Sequence, residues 1–312
     1  MITFFTTAKP FEGHNGIIQR NALKSWTLLA ADVEVILFGE DAGSAEVARE
    51  LGLRHEPDVE RNEFGTIRID CMFGRAQSLA RHDVVCYANC DIILLPDFLQ
   101  AIERLKIAHS QFLATGRRWN LDVNKPIDFS RTGWQQALRR QTLNANQRQS
   151  RWFIDYFAFS RGFFASDLPA LGVGRVFWDN WMLWRACESG KPVVDISPVV
   201  IAVHQNHDYR HHPQGRQGVY AGQEADRNLE LAGGWSHLRT ISDANLVLRG
   251  RRLDLNPRRY WHSLKRAMSP WAKMLRYRIW NPVWFAALGI TRPMRTVLGL
   301  RTAEARRPRS KR

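Results

Sequence analysis

The sequence predicts an α/β fold: a mostly parallel sheet covered by helices on both faces. Three observations predict it. Short continuous runs of β-branched and aromatic residues, such as VEVILF at Val33–Phe38, suit strands buried on both sides. Segments with apolar residues at helical spacing alternate with those runs. With 312 residues, 45% of them hydrophobic and 24% charged, the chain can bury a core without covalent staples.

Each element has its own signal. MITFFTT reads as the first strand, and Ile18, Ala22, Trp26 and Leu29 then mark one face of a helix. VEVILF is the second strand. GSAEVARELG is a second helix, with Ser44 as its N-cap and Gly52 as its stop. Between Thr66 and Arg81, Ile69, Met72, Phe73, Ala76, Leu79 and Ala80 share a helical face. DVVCYA is the next strand, and Pro96 and Asp97 open the next helix. QFLATG follows as a strand. Leu121 to Ser150 is a polar excursion with one helix, and FIDYFAF (Phe153–Phe159) is a short aromatic strand. DNWMLWRACESG reads as a helix closed by Gly190, with KPVVDIS and VVIAVH as strands after it. No internal repeat is visible.

Charge divides the chain. Between Arg249 and Arg312 there are 18 basic and 2 acidic residues, against 27 and 28 in residues 1–248. A near-neutral domain over 1–248 is therefore expected to carry a cationic extension over 249–312. That extension interleaves Arg and Lys with Trp, Tyr and Leu and is broken near Pro270 and Pro282. Such a pattern suits the surface of an anionic membrane better than nucleic acid, and RRPRSKR at the end is expected to be disordered. MITFFTTAKP lacks the basic lead, long apolar segment and cleavage site of a signal peptide, and no run reaches a spanning length. Cys71, Cys86, Cys90 and Cys187 fit neither a zinc pattern nor a disulfide framework. A cytoplasmic protein, peripheral on the inner face of the cell membrane, is the expectation.

The chemistry centres on YANCDIILLPDF, Tyr87 to Phe98. Asp91 lies where a buried strand ends, and an acid between two apolar runs is costly without a purpose. It could cap a helix. Pro96 and Asp97 already supply the next helix start, so Asp91 is left for a ligand, at the strand end where such sheets place their sites.

NCDIIL resembles the reduced Asp-x-Asp region of GT-A glycosyltransferases. The resemblance covers roughly residues 1–210 and rests on several motifs in order. It implies a GT-A-like (Rossmann-like) domain that moves a sugar from a nucleotide sugar to a hydroxyl of a glycan or lipid-linked acceptor, in cell-envelope polysaccharide biosynthesis. Asn89, where the family usually has an acid, and Asp91 would hold a divalent cation, Mn²⁺ or Mg²⁺, against the diphosphate. His204 in VHQNHDYRHH resembles the late histidine that meets metal or diphosphate. FFTTAKPF would be the nucleotide-facing loop, with Thr6 and Thr7, and LFGE would lie near base or ribose. DYFAFSRGFF, with Arg161, resembles the acceptor side. WDNW, Trp178–Trp181, resembles the segment with the catalytic acid of inverting members, which makes Asp179 the base and Trp178 an acceptor neighbour.

The residue types agree with these roles and leave competitors open. Asp179 opens a helix, so capping competes with a base whose pKa is raised between tryptophans. Arg117 and Arg118 follow a strand and could contact phosphate. Asp155 should face something polar, either an acceptor hydroxyl or a nearby Arg. His207, His211 and His212 match no strong metal spacing and read as a solvated loop. Trp119, Trp178 and Trp181 could stack on sugar or fill core. A sugar nucleotidyltransferase would need a glycine-rich loop after the first strand, which TTAKPFEG lacks. A non-enzymatic adaptor acting through the basic tail is the other alternative.

Overall fold

The computed structural model describes residues 1–164, 168–208, 220 and 222–264. The first compact unit spans Met1–Arg259, and a second begins at Tyr260. Most of the cationic tail, and with it His211 and His212, lies outside the described residues.

Among the described residues the strands are β1 (Ile2–Thr7), β2 (Val33–Phe38), β3 (Arg54–Glu56), β4 (Val84–Ala88), β5 (Ile92–Leu94), β6 (Leu113–Thr115), β7 (Arg118–Leu121), β8 (Tyr156–Ser160), β9 (Val193–Asp195), β10 (Ala202–Gln205), β11 (Leu246–Arg249) and β12 (Arg252–Leu255). Helices are α1 (Gly13–Thr27), α2 (Ser44–Leu51), α3 (Ile69–Leu79), α4 (Pro96–Ala108), α5 (Trp134–Ala145), α6 (Trp178–Glu188) and α7 (Gln223–Leu231). A nine-stranded sheet has the order β12-β11-β9-β6-β8-β4-β1-β2-β3. Pairs β4–β1, β1–β2, β2–β3, β6–β9 and β9–β11 are parallel. β8 runs antiparallel to both β4 and β6, and β12 is antiparallel to β11. The expected mostly parallel α/β sheet is therefore present, and it continues past residue 248 through the β11–β12 hairpin.

Alternation along the strands builds two cores, because successive side chains point to opposite faces. Phe5, Ile36, Phe38, Val85, Tyr87, Phe157 and Phe159 face one side, where α3 and α6 cover them with Met72, Phe73, Trp178 and Met182. Phe4, Val35, Leu37, Cys86, Ala88 and Tyr156 face the other, under Trp26 of α1, Val47 of α2 and Phe98 and Leu105 of α4. Trp26 stacks on Phe4 at 5.3 Å and donates its indole N–H to the Ile92 carbonyl at 2.8 Å.

Several local expectations change. Gly43, at φ 84°, precedes α2 as its N-cap, and Ser44 is the first helical residue with its hydroxyl buried. A left-handed residue is needed there, which glycine supplies and serine does not. Gly52 closes α2 at φ 66°, as read from sequence. The IILL run, apolar but too short for a helix, is β5, which joins β10 and β7 in a separate three-stranded sheet of order β5-β10-β7. Its third small core comprises Ile93, Leu121, Trp134, Leu138, Ile201 and Val203. Asp155 precedes β8 instead of lying inside it. Among the described residues no helix is long and apolar enough to cross a membrane.

Candidate functional site

The carboxyl ends of β1 and β4 and the end of β10 meet at one cleft, a cavity of about 400 Å³. Its position follows from the parallel strands, whose loops leave by the same edge. Thr7, Lys9, Asn89, Asp91, Arg118, Asp155, Trp178, Asp179, His204 and His207 line it.

Asp91 is brought to His204 by the small sheet. β10 runs antiparallel to β5 with His204 opposite Ile92, and the Gln205 N–H donates to the Asp91 carbonyl at 3.2 Å. Asp91 Oδ2 lies 3.0 Å from His207 Nε2 and 3.6 Å from His204 Nε2. One ligand atom from each of the three residues falls within a 4.8 Å cluster. Burial alone would raise the Asp91 carboxyl, but His204, His207 and the Lys9 ammonium together hold it well below the usual carboxylate range. Burial pushes His204 down to about 4, against the opposing pull of Asp91, so it is neutral at physiological pH. Carboxylate and neutral imidazole are the metal-binding forms.

Two buried atoms of this trio, Asp91 Oδ1 and His204 Nδ1, have no hydrogen-bond partner among the described residues. Buried polar atoms are nearly always satisfied, so the open carboxylate oxygen fits a cation at this place. One oxygen and two imidazole nitrogen donors suit a divalent transition metal better than Mg²⁺, which prefers oxygen.

Asn89 and Asp155 form a rigid neighbour to the trio. The Tyr87 hydroxyl donates to Asn89 Oδ1 at 2.8 Å, and Asn89 Nδ2 donates to Asp155 Oδ1 at 2.9 Å. Arg118 Nη1 donates to the same Asp155 oxygen at 2.6 Å. Both ends of the Asn89 amide are thus engaged by protein. Its placement braces Asp155, whereas the sequence suggested a ligand oxygen for the cation. Asp155 pairs with arginine, the simpler of its two expected roles, and its buried Oδ2 has no partner among the described residues.

Asp179 enters from the other wall, in the first turn of α6. The residue before that helix, Phe177, is held at φ 81°, in the left-handed region that a bulky side chain rarely adopts. The N-cap residue itself, Phe177, makes no side-chain capping bond. Burial raises its carboxyl to about 7, the Asp155 charge adds to this, and backbone N–H groups of Asn180, Asp179 and Ile154 oppose it. A carboxyl that ionises near neutrality is suited to accept a proton. Trp178 is 3% exposed and packs edge-on against Tyr87 at 5.0 Å, so most of it is core.

Three candidate residues lie elsewhere. Thr6 is buried under the sheet, its hydroxyl bonded to the Thr7 carbonyl, because β1 alternates and Thr7 faces the cleft. Arg117 points away by the same alternation, donating Nε–H to the Gln149 carbonyl at 2.6 Å, while Arg118 faces the cleft. Arg161 sits at the opposite end of the sheet, bonded to the Ala80 carbonyl and to Asp83. The antiparallel course of β8 puts Tyr156 at the cleft edge and Ser160 at the far one.

Lys9 was missed by sequence reasoning and belongs to the cleft. Reciprocal bonds fix its backbone: Lys9 N–H to Gln19 Oε1 at 2.7 Å and Gln19 Nε2 to the Lys9 carbonyl at 2.9 Å. Burial lowers its ammonium pKa, and Asp91 resists that. Arg175 also lines the cleft, held by Glu224 at 2.5 Å. His207, read as loop from its spacing, is in the trio.

No family model matches the chain, and no curated protein matches it. Solved structures do. Glucosyl-3-phosphoglycerate synthase from Mycobacterium tuberculosis, in complex with Mg²⁺ and UDP, is 16% identical, with 75% of this chain and 80% of that chain covered and a TM-score of 0.46. A further structure of the M. tuberculosis enzyme is 14% identical over 82% and 90% of the two chains, with a TM-score of 0.45. S. aureus TarS 1–349 in complex with UDP-GlcNAc is 10% identical over 38% and 35%, with a TM-score of 0.29. Likeness at this level leaves the functional reading to the cleft itself.

Proposed function

We propose that the protein is a glycosyltransferase that moves a sugar from a nucleotide-sugar donor to an acceptor hydroxyl, with inversion. One observation carries this reading: a trio with the donors and spacing to hold a metal and a separate carboxyl with a near-neutral pKa share one cleft. Asp91, His204 and His207 would hold the divalent cation. When bound, it supplies Lewis-acid stabilisation of charge on the leaving diphosphate. Lys9 and Arg118 place positive charge in the same cleft and would balance the rest of that diphosphate. Asp41, paired with Arg61 at 3.3 Å beyond the end of β2, lines the cleft and would meet base or ribose. Asp179 would take the proton of the acceptor hydroxyl as its oxygen bonds to the anomeric carbon. The bond from that carbon to phosphate breaks, and the nucleoside diphosphate leaves. The loop Ala8–Pro10 holds no glycine, which continues to disfavour a nucleotidyltransferase.

A thermal-shift panel of UDP-, GDP-, CMP- and dTDP-sugars, with and without Mn²⁺, tests this reading. One donor with Mn²⁺ is expected to raise Tm by several degrees, since a ligand at 100 times its Kd adds about 2.7 kcal/mol. No shift with any donor overturns the reading, and an equal shift without metal removes the role of the trio.

The basic segment 249–312 supports a second part of the proposal, an anionic membrane surface carrying a glycan or glycolipid acceptor. Its support is charge: each basic residue near such a surface contributes about 1 kcal/mol. Full-length protein is expected to sediment with anionic vesicles at low salt and to be released at high salt. Equal binding to neutral vesicles would defeat the idea.

A further inference from the structure

Beside the cleft, on the carboxyl side of β6 and β9, Arg151, Arg148 and Arg117 meet the turn that holds the Asp195 carboxylate, through a side-chain ion pair, a guanidinium bond and a backbone N–H. The turn Asp195–Ser197 is their hub. Arg151 Nη1 donates to Asp195 Oδ2 at 2.5 Å, Arg148 Nη2 donates to the Ser197 carbonyl at 2.7 Å, and the Arg117 N–H donates to the Ser197 hydroxyl at 2.8 Å. Arg258, after β12, acts on both Arg117 and Arg148 through its charge. Asp195 is fully buried, and its other oxygen already accepts the Ser197 N–H at 2.9 Å. The four guanidinium groups are therefore left with an excess of positive charge.

The cluster also carries unused donors. Arg148 stacks over Trp119 at 5.3 Å, and its Nε is buried without a partner among the described residues. The Tyr156 hydroxyl, on a side chain 0% exposed, is likewise without one. It lies at the same turn: a Cβ added to Gly116 would come within 2.3 Å of that hydroxyl and 3.0 Å of the Ser197 nitrogen. Only glycine leaves that room. Guanidinium groups that converge on one turn with a single carboxylate between them are what an anion relieves, and their planar form matches phosphate oxygens.

We infer that Arg117, Arg148, Arg151 and Arg258 form a second anion site that takes a phosphoryl group of the acceptor substrate. The anion site stands on these contacts alone; the word acceptor rests on the transfer reading above. Position supports it. Arg118 and Trp152 line the cleft, and their chain neighbours Arg117 and Arg151 belong to the cluster, so the two sites share a wall. A phosphorylated acceptor held by the arginines could place a hydroxyl on the Asp179 side.

Calorimetry with inorganic phosphate tests the inference on the full chain. Phosphate is expected to bind with a Kd in the millimolar range or tighter, and to bind equally after the cleft is saturated with UDP and Mn²⁺. The Arg117→Gln/Arg148→Gln pair should weaken phosphate at least tenfold and leave UDP affinity unchanged. Arg258→Gln, at an exposed position, should weaken it several-fold without disturbing the fold. Absent phosphate binding, competition by UDP, or indifference to all three substitutions overturns the site. Phosphate binding without any nucleotide-sugar binding would retain the site and reject the transfer reading. Phosphatidic acid vesicles distinguish the source: a lipid-borne group makes vesicle affinity fall in the double variant, and a soluble one leaves it unchanged.

Discussion

Asp91→Asn is expected to lower kcat/KM by on the order of 10³, because Lewis-acid stabilisation of the leaving group contributes several kcal/mol. It should also erase the Mn²⁺-dependent part of the donor-induced thermal shift. Asparagine keeps the shape and offers one neutral oxygen, while its NH₂ group cannot ligate a cation. The native carboxylate has one oxygen 3.0 Å from His207 and the other without a partner among the described residues, which leaves that oxygen for the proposed cation. Folding is a separate readout. The Asp91 carboxyl is held below its ordinary value of 3.8, so its ionised form stabilises the fold above that pH, and the contribution fades as the pH falls toward the lower native value. The variant should therefore differ from the parent at neutral pH and converge with it in acid. Turnover within tenfold of the parent, or an intact Mn²⁺ response, would sink the assignment.

Asp179→Asn should leave donor binding intact and lower kcat by about 10²–10⁴, the usual contribution of a positioned base. In the parent, kcat/KM should climb with pH through a midpoint of about 7, and the variant should lose that limb. The sign of the stability effect is opposite to that of Asp91. A carboxyl raised from 3.8 to about 7 takes up a proton on folding, so stability is full below 3.8 and falls as pH rises through about 7. Asparagine cannot ionise, and Asp179→Asn should be at least as stable as the parent at pH 8. A variant that turns over normally removes Asp179 from the mechanism. A variant that loses donor affinity in proportion to kcat makes it a binding group instead.

The sequence read well where the signal is local. Periodicity gave α1, α2 and α3, continuous apolar runs gave β1, β2 and β4, and Pro96–Asp97 gave the start of α4. Asp91 was legible because an acid at a strand end is conspicuous, and Asp179 because an acid opens a helix between tryptophans. What was illegible depends on partners far along the chain. β5 and β7 are three and four residues long, and only pairing with β10 makes them strands. The reversed course of β8 decides that Asp155 reaches the cleft and Arg161 does not, and no spacing announces a strand direction. Arg117 and Arg118 differ by one step of alternation. His207 does lie in a loop, but its side chain meets Asp91, 116 residues earlier, which no spacing announces.

That separation has a temporal consequence. A growing chain displays Asp91 long before His204 and His207 exist, and the small sheet that joins them closes only after its last strand, β10, is made. Contacts so distant in sequence form late, after a large loop has been closed. The nascent polypeptide therefore has no assembled trio with which to take a cation from its surroundings. On the proposed role of the trio, metal acquisition would be a property of the finished molecule, and added Mn²⁺ would report successful closure: it would reward chains whose second half has found its place and ignore those that have not.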